Sequence, residues 1–218
     1  MEMDMLARTM LFRGLDRAGL ADALKTLRAA ERDYPKGAAV LRAGDTTAQM
    51  GLVLSGSVTI ESNDLWGNRT ILSHVGPRQF FAETYALLAG EPLLVDVVAN
   101  VDSRILFLYV AELETLRPEE HPWARRLTAN LLRISAHKNL ALSGHSFHTA
   151  PKSARGRVMA YLNSVSLQRR SREFDIPFDR QQLADYLNLD RSALSKELGR
   201  MRADGILECR KNHFRLKA

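Results

Sequence analysis

RQQLADYLNLDRSALSKELGRMRADG, residues 180–205, decides how the chain is read. Two short apolar stripes flank Asn188. The first holds Leu183, Ala184 and Leu187, with Leu189 just beyond. The second holds Ala193, Leu194, Leu198 and Met201, and its steps of one, four and three residues put it on one side of a helix. The spacing predicts two short helices crossing at a tight turn. A small residue, Ala184, lets the second helix cross closely. Asn188 suits a left-handed connecting position, where Gly is easiest and Asn next best. Asp190 stands where an N-cap belongs, one residue ahead of the second helix.

The polar side of this segment carries the chemistry. Arg191, Ser192, Ser195 and Lys196 open the second helix, and Arg200 and Arg202 follow on its flank. In a helix-turn-helix the first residues of the second helix meet base edges in the major groove. Arg and Lys bond guanine O6 and N7 there, and Ser tolerates several bases. Arg191, Ser192, Ser195 and Lys196 are therefore the candidate base readers. Asp190, Glu197 and Asp204 show that the helix is not merely basic, and a plain helical hairpin with a solvated face is the blander reading. The next residues argue against it. Ile206–Leu207 and Phe214–Leu216 read as short strands joined by Glu208–His213, a basic-tipped hairpin suited to lie along phosphates. Arg180, Arg200, Arg202, Arg210 and Lys211 are the candidate phosphate contacts.

Charge is distributed to match. From Pro151 onward there are 15 Lys/Arg against 8 Asp/Glu, a net +7, whereas the preceding 150 residues net −1. A near-neutral first part joined to a basic last third points to a polyanionic partner; a chance excess on a solvated surface is the plainer alternative. At 218 residues, 45% of them hydrophobic, the chain has material for one large domain or two small ones. No apolar run approaches the roughly 18 residues that a membrane span needs, and MEMDMLARTMLF has no secretory pattern, so a cytoplasmic location is expected. One cysteine, Cys209, rules out a disulfide or a four-cysteine zinc or iron–sulfur site within one chain.

Ahead of the basic third lie short apolar runs: YPKG, VLRAGD, MGLVLSGSVTIES, TILSHVG, LLVDVVAN and SRILFLYV. They are punctuated by Gly37, Gly44, Gly56, Gly67 and Gly76, a spacing that suggests a β-sandwich or jelly roll. The pattern KG…GD…GLVLSGSVTI…G…I…VG…F…E resembles a cyclic-nucleotide-binding β-roll. FDRQQLADYLNLDRSALSKELGRMRADGIL resembles the C-terminal domain of the cyclic-AMP receptor protein/fumarate–nitrate regulator (Crp/Fnr) superfamily. The two occur in that superfamily's order and cover Phe12 to Leu216. The resemblance implies an α+β fold: a β-roll over 1–118, a dimerisation helix over 119–144 and a winged helix-turn-helix over 145–218. It also implies a homodimeric transcriptional regulator on a palindromic operator in double-stranded DNA, with RNA polymerase as a partner if it activates. An effector would bias two orientations of the DNA-binding domains.

Gln79–Pro92, QFFAETYALLAGEP, matches the superfamily's phosphate cassette, in which a helix N-terminus cradles a cyclic phosphate. There a Glu takes the ribose hydroxyl, and an Arg about ten residues on meets the phosphate. Glu83 falls at the Glu position, Ala82 replaces the preceding Gly, and Leu93 or Leu94 falls at the Arg position, with Asp96 of the wrong sign nearby. A phosphate buried without its cation costs several kcal/mol, so cyclic AMP is not expected. The candidate pocket is Ala82, Glu83, Thr84, Leu93, Leu94 and Asn130, suited to a small apolar or aromatic acid or to no ligand. An iron–sulfur cluster is not expected. Haem stays open through His74, His121, His137, His145 and His148, of which none stands out as an axial ligand. His145 and His148 sit three apart, but solvated histidines near a hinge are the plainer reading and no metal site is expected.

Glu119–Ser143 reads as one long helix. Leu127, Ile134 and Ala141 are spaced by seven, with Trp123, Asn130 and His137 four residues before each. This predicts a dimer seam of Trp123, Leu127, Leu131, Ile134 and Ala141, with the polar Asn130 helping to fix register. Packing of the helix on its own β-roll is the alternative, because Leu132, Leu140 and Leu142 widen the stripe. GHSFHTAPKS, 144–153, is expected to break the helix as a hinge. Arg157–Leu167 then starts the basic domain with Val158, Tyr161, Leu162 and Val165 on one face, and Leu20, Leu24 and Leu27 mark a packing helix near the N-terminus. No P-loop, nucleophile elbow or HExxH occurs, and no enzymatic activity is expected. A cupin-like β-barrel enzyme would need two or three strand histidines with a carboxylate, and the strands offer only His74.

Overall fold

Two strands read as unbroken apolar runs because both of their faces are covered. β3 (Gln49–Ser55) and β8 (Ser103–Tyr109) sit in one four-stranded antiparallel sheet, flanked by β1 (Ala30–Tyr34) and β6 (Phe80–Phe81) in the order β1-β8-β3-β6. Alternate side chains point opposite ways. Val53, Ile105 and Phe107 face a second sheet, and Met50, Leu52, Leu106 and Leu108 face helices. The second sheet joins β2 (Ala39–Leu41), β7 (Asp96–Ala99), β4 (Val58–Asn63) and β5 (Arg69–Val75) in the order β2-β7-β4-β5. Val40, Val58, Val75, Phe81 and Val97 fill the space between the sheets. The computed structural model describes residues 3–63, 69–88, 90–117 and 119–217. Gly67, expected to punctuate the strands, lies outside them.

Two glycines are needed for close approach. A Cβ on Gly51 would run into the Phe81 ring. On Gly56, at φ 79°, it would meet the Ser103 hydroxyl and the Asp102 carbonyl where β3 turns into β4.

The helical side of this unit holds α1 (Met3–Ala7), α2 (Arg17–Thr26), α3 (Glu83–Leu87) and the first turns of α4 (Ala124–Thr149). Leu20, Ala23 and Leu24 of α2 are buried, as the Leu20–Leu24–Leu27 register predicts, and Asp16 caps the helix through the Gly19 N–H at 2.7 Å.

Chain packing divides the protein into Met1–Ala136 and His137–Ala218. The second unit contains α5 (Ala154–Arg169), α6 (Arg180–Tyr186) and α7 (Arg191–Ala203). Its small sheet is ordered β10 (Leu207–Arg210), β11 (His213–Leu216), β9 (Glu173–Asp175). Val158, Tyr161, Leu162, Leu183, Leu194, Leu198, Met201 and Phe214 form its core. β9, which pairs Phe174 with Phe214, was not anticipated; three residues are too few for a periodic signal. The long helix also differs from expectation. It starts at Ala124, not Glu119, and runs through Gly144 to Thr149, because one glycine costs a helix only about 1 kcal/mol.

Candidate nucleic-acid interface and effector pocket

The turn after α6 determines what α7 presents. A capping box starts α6: Gln182 N donates to Asp179 Oδ1 (2.8 Å), and Asp179 N donates to Gln182 Oε1 (2.9 Å). The chain leaves through Asn188 at φ 51°, the left-handed connector expected there. α7 then turns Leu194, Leu198 and Met201 into the core and leaves Arg191, Ser192, Ser195 and Lys196 exposed together at its start. Two details differ. Asp190 holds the N-cap position but makes no side-chain cap bond. Ala193, expected in the apolar stripe, is exposed, because one residue before Leu194 lies about 100° around the helix from it.

The expected phosphate contacts fall into two groups. Arg180, Arg191, Lys211 and Asn212 line one recess beside the wing. There Arg180 Nη2 donates to the Lys211 carbonyl (3.3 Å) and its guanidinium lies 6.0 Å from the Phe214 ring centre. Among the described residues, Arg180, Arg191, Lys196, Arg202, Arg210 and Lys211 form no ion pair. Arg200 is placed differently. Its Nη1 lies 3.5 Å from Glu197 Oε2, and Glu197 also takes Arg155 Nε at 2.6 Å, while Arg155 Nη2 reaches Asp204 at 2.7 Å. The Arg155 hydrogen bond is the main reason the Glu197 carboxyl titrates below the usual range. Behind the wing tip His213 bridges Asp175 (3.0 Å) and Glu173 (3.1 Å), Arg215 pairs with Glu173 (2.8 Å) and Lys217 with Glu208 (2.7 Å). The bond to Asp175, then that to Glu173, raises the His213 pKa.

The cassette keeps its bend without its cation. Ala82 sits at φ 60° at the start of α3, a left-handed conformation that costs a non-glycine residue about 1–2 kcal/mol, and it makes no side-chain cap bond. Glu83 is buried and Thr84 exposed. Leu93 is buried, with its N–H on Asp45 O and its carbonyl on Gly44 N, both at 2.8 Å. Leu94 is exposed and its N–H meets Tyr85 Oη at 3.3 Å. Asp96 accepts from Ala43 N and Asn63 Nδ2, both at 2.8 Å; the Ala43 bond leads the causes that hold it ionised to unusually low pH. Leucines thus stand where the resemblance puts the phosphate-binding Arg, and Arg42 adds to the ionisation of Asp96. Asn130 belongs elsewhere: its Nδ2 donates to Leu11 O (2.9 Å) and Arg13 O (2.8 Å), tying α4 to the N-terminal segment.

Four of the five residues expected in the dimer seam belong to the protomer's own core. Trp123, Leu127, Leu131 and Ile134 are buried against Leu11, Leu20 and Leu24, and Trp123 Nε1 donates to Asp22 Oδ2 at 2.6 Å. Ala141 is exposed. The heptad spacing is real, and as far as Ile134 it coincides with packing on the same chain, the alternative to the seam. Instead α4 exposes Leu132, Leu140 and Phe147.

His148 is not solvated, and His145 is half-buried. His148 is buried with Nδ1 3.0 Å from Tyr186 Oη, among Tyr161, Tyr186 and Phe147. His145 Nε2 donates to Tyr186 O at 2.9 Å. Among the described residues no group of three His, Cys, Asp or Glu is arranged to hold a metal ion, and no helix is long and apolar enough to cross a membrane.

The cyclic nucleotide-binding domain family matches residues 31–119, and the Crp-like helix-turn-helix domain family matches residues 156–218. The chain belongs to the Crp/Fnr family of transcriptional regulators. This Crp/Fnr chain is similar to the catabolite activator protein of Thermus thermophilus, at 26% identity and TM-score 0.51, over 96% of this chain and 94% of that one. It shares its fold with the c-di-GMP-responsive global regulator CLP of Xanthomonas campestris, at 20% identity and TM-score 0.57, over 93% and 100% of the two chains. A cyclic nucleotide-gated potassium channel of Mesorhizobium japonicum is 32% identical over 112 residues, which are 51% of this chain and 29% of the channel. For the Crp/Fnr chain the ion ladder behind the wing and the ring of donors around Tyr186 were invisible in the sequence. HSFH marked the place of the second but not its partners.

Proposed function

We propose that the protein is a homodimeric, sequence-specific DNA-binding regulator whose β-roll answers to a ligand other than a cyclic nucleotide. The convergence of Arg180, Arg191 and Lys211 on one recess, beside the exposed start of α7, carries this reading. Arg191, Ser192, Ser195 and Lys196 read bases in the major groove. Arg180, Arg202, Arg210 and Lys211 hold phosphates, and Arg200 contributes less because Glu197 competes for it. The working division keeps the β-roll over 1–118 and the DNA-binding domain up to 218, with the helix between them now α4, Ala124–Thr149, in place of 119–144. Dimerisation uses the outward side of α4, where Leu132 is exposed. The protein works where the DNA is, in the cytoplasm, meets RNA polymerase if it activates, and is not an enzyme.

Selection from a randomised duplex library tests the first part: it should enrich a palindrome. Calorimetry tests the second: cyclic AMP and cyclic GMP should give no heat of binding at micromolar concentration and leave DNA affinity unchanged. Micromolar binding of either nucleotide would overturn the reading of the pocket, and a library that enriches nothing would overturn the reading of α7.

A further inference from the structure

A helix-turn-helix is useful only if its recognition helix is held at one setting, and the carbonyls at the end of α6 show what holds this one. Helix ends leave carbonyls that need partners. The turn supplies its own for the first three: Leu187 N bonds Leu183 O, Leu189 N bonds Ala184 O, and Asn188 N bonds Asp185 O, at 2.9–3.1 Å. The next three point away from the turn, and side chains from outside α6 meet each one. His145 Nε2 donates to Tyr186 O (2.9 Å). Arg157 Nη1 donates to both Leu187 O (3.1 Å) and Asn188 O (2.8 Å). Arg157 Nε continues to Pro151 O (2.9 Å), in the segment that joins α4 to α5. Tyr186 is gripped at its other end too, its hydroxyl lying 3.0 Å from His148 Nδ1. The last turn of α4 and the first turn of α5 thus fasten the residues that lead into α7.

Resting on the reading of α6 and α7 as the DNA-binding element, we propose that His145 and Arg157 are positioning residues: they set the recognition helix by binding the carbonyls of the turn. Neither needs to touch DNA. Arg157 is half-buried and its donors are committed to three carbonyls in a fork that a lysine cannot reproduce. His145 stands edge-on to the Tyr186 ring with centres 4.9 Å apart, so its packing and its hydrogen bond can be separated by mutation. Arg157→Lys keeps the charge and loses the fork. His145→Phe keeps the ring and loses the donor, and His145→Gln restores an N–H donor.

The experiment measures each variant of the full chain on a palindrome recovered by library selection and on scrambled duplex, across a salt series, at a temperature where all remain folded. Arg157→Lys and His145→Phe should each weaken operator binding roughly tenfold while scrambled-DNA affinity and the salt slope stay at wild-type values. His145→Gln should return to near wild type. A parallel loss on both DNAs, or full operator affinity in Arg157→Lys and His145→Phe, would overturn the proposal. Amide hydrogen exchange over residues 187–191, without DNA, supplies the second arm. Exchange there should quicken in Arg157→Lys and His145→Phe, and unchanged exchange in both would refute the clamp. If the wild type selects no sequence, the DNA-binding reading fails by itself and the exchange arm still decides the clamp.

Discussion

Glutamate placed on either side of α4 should do two different things. Ile134 is 5% exposed in the core that also holds Leu127 and Leu131, whereas Leu132, two residues earlier, is 70% exposed. A carboxylate at Ile134 must be buried in an apolar site at a cost of several kcal/mol, out of a total stability of about 5–15 kcal/mol. Ile134→Glu should therefore unfold the N-terminal unit. Leu132→Glu should leave each chain folded, within about 0.5 kcal/mol of wild type. Its effect lies in assembly. Burying a whole leucine is worth about 1.5–3 kcal/mol, so covering the part still exposed returns about 1–2 kcal/mol per copy and about 2–4 kcal/mol for a symmetric pair. Losing that, and setting two like charges together, should raise the dimer dissociation constant about 30- to 1,000-fold. Sedimentation equilibrium reads the association and circular dichroism melting reads the fold. If Leu132→Glu sediments as a dimer of wild-type affinity, or Ile134→Glu dissociates with an unchanged melt, this division of the helix is wrong.

Other outcomes follow from the second unit and from Asn130. Truncating Arg191 to Ala should cost about 1–3 kcal/mol per half-site on the operator and relax preference at one base pair. Lys211→Ala should weaken operator and scrambled DNA alike and lower the salt slope by about one for each phosphate it no longer neutralises; equal losses on both DNAs for Arg191→Ala would refute its role in base reading. Burial holds the His148 imidazole below its ordinary pKa, with the nearby His145 adding to this. A base with a lowered folded pKa stabilises fully above its unfolded value of about 6.5, and that contribution is lost as pH falls through the folded pKa. Denaturation between pH 5 and 8 should thus show the wild type weakening on acidification more than His148→Phe, and parallel profiles would count against this. Asn130→Leu leaves the Leu11 and Arg13 carbonyls without their donor and should cost about 2–4 kcal/mol of stability; a melt within a degree of wild type would show that those bonds carry little.

Patterns set by a residue's own neighbours in the chain were legible. Asn188 at a left-handed turn, Leu194–Leu198–Met201 facing inward and the paired apolar runs of β3 and β8 all follow from local periodicity and backbone sterics. Features that depend on a distant partner were not. Trp123, Leu127, Leu131 and Ile134 repeat as a seam would, yet the repeat cannot say whether the opposing surface is a second copy or the chain's own N-terminal helices. Asn130 reads as available to a pocket because its two acceptors lie more than a hundred residues away in sequence. HSFH reads as a solvated hinge because nothing near it in the chain announces Tyr161 or Tyr186.

The ion ladder behind the wing also changes how the charge of the last third should be counted. Of its 15 lysines and arginines, Arg155, Arg200, Arg215 and Lys217 already have carboxylates beside them, and so hold fewer loosely bound counterions to be exchanged. Salt sensitivity on DNA measures ions released from the phosphates that the protein neutralises, about 0.9 for each. Among the described residues of α6, α7 and the wing, the six cations without a carboxylate partner are Arg180, Arg191, Lys196, Arg202, Arg210 and Lys211. These six account for about five released ions per chain, with Arg200 adding less, so the slope falls well short of what the domain's composition suggests.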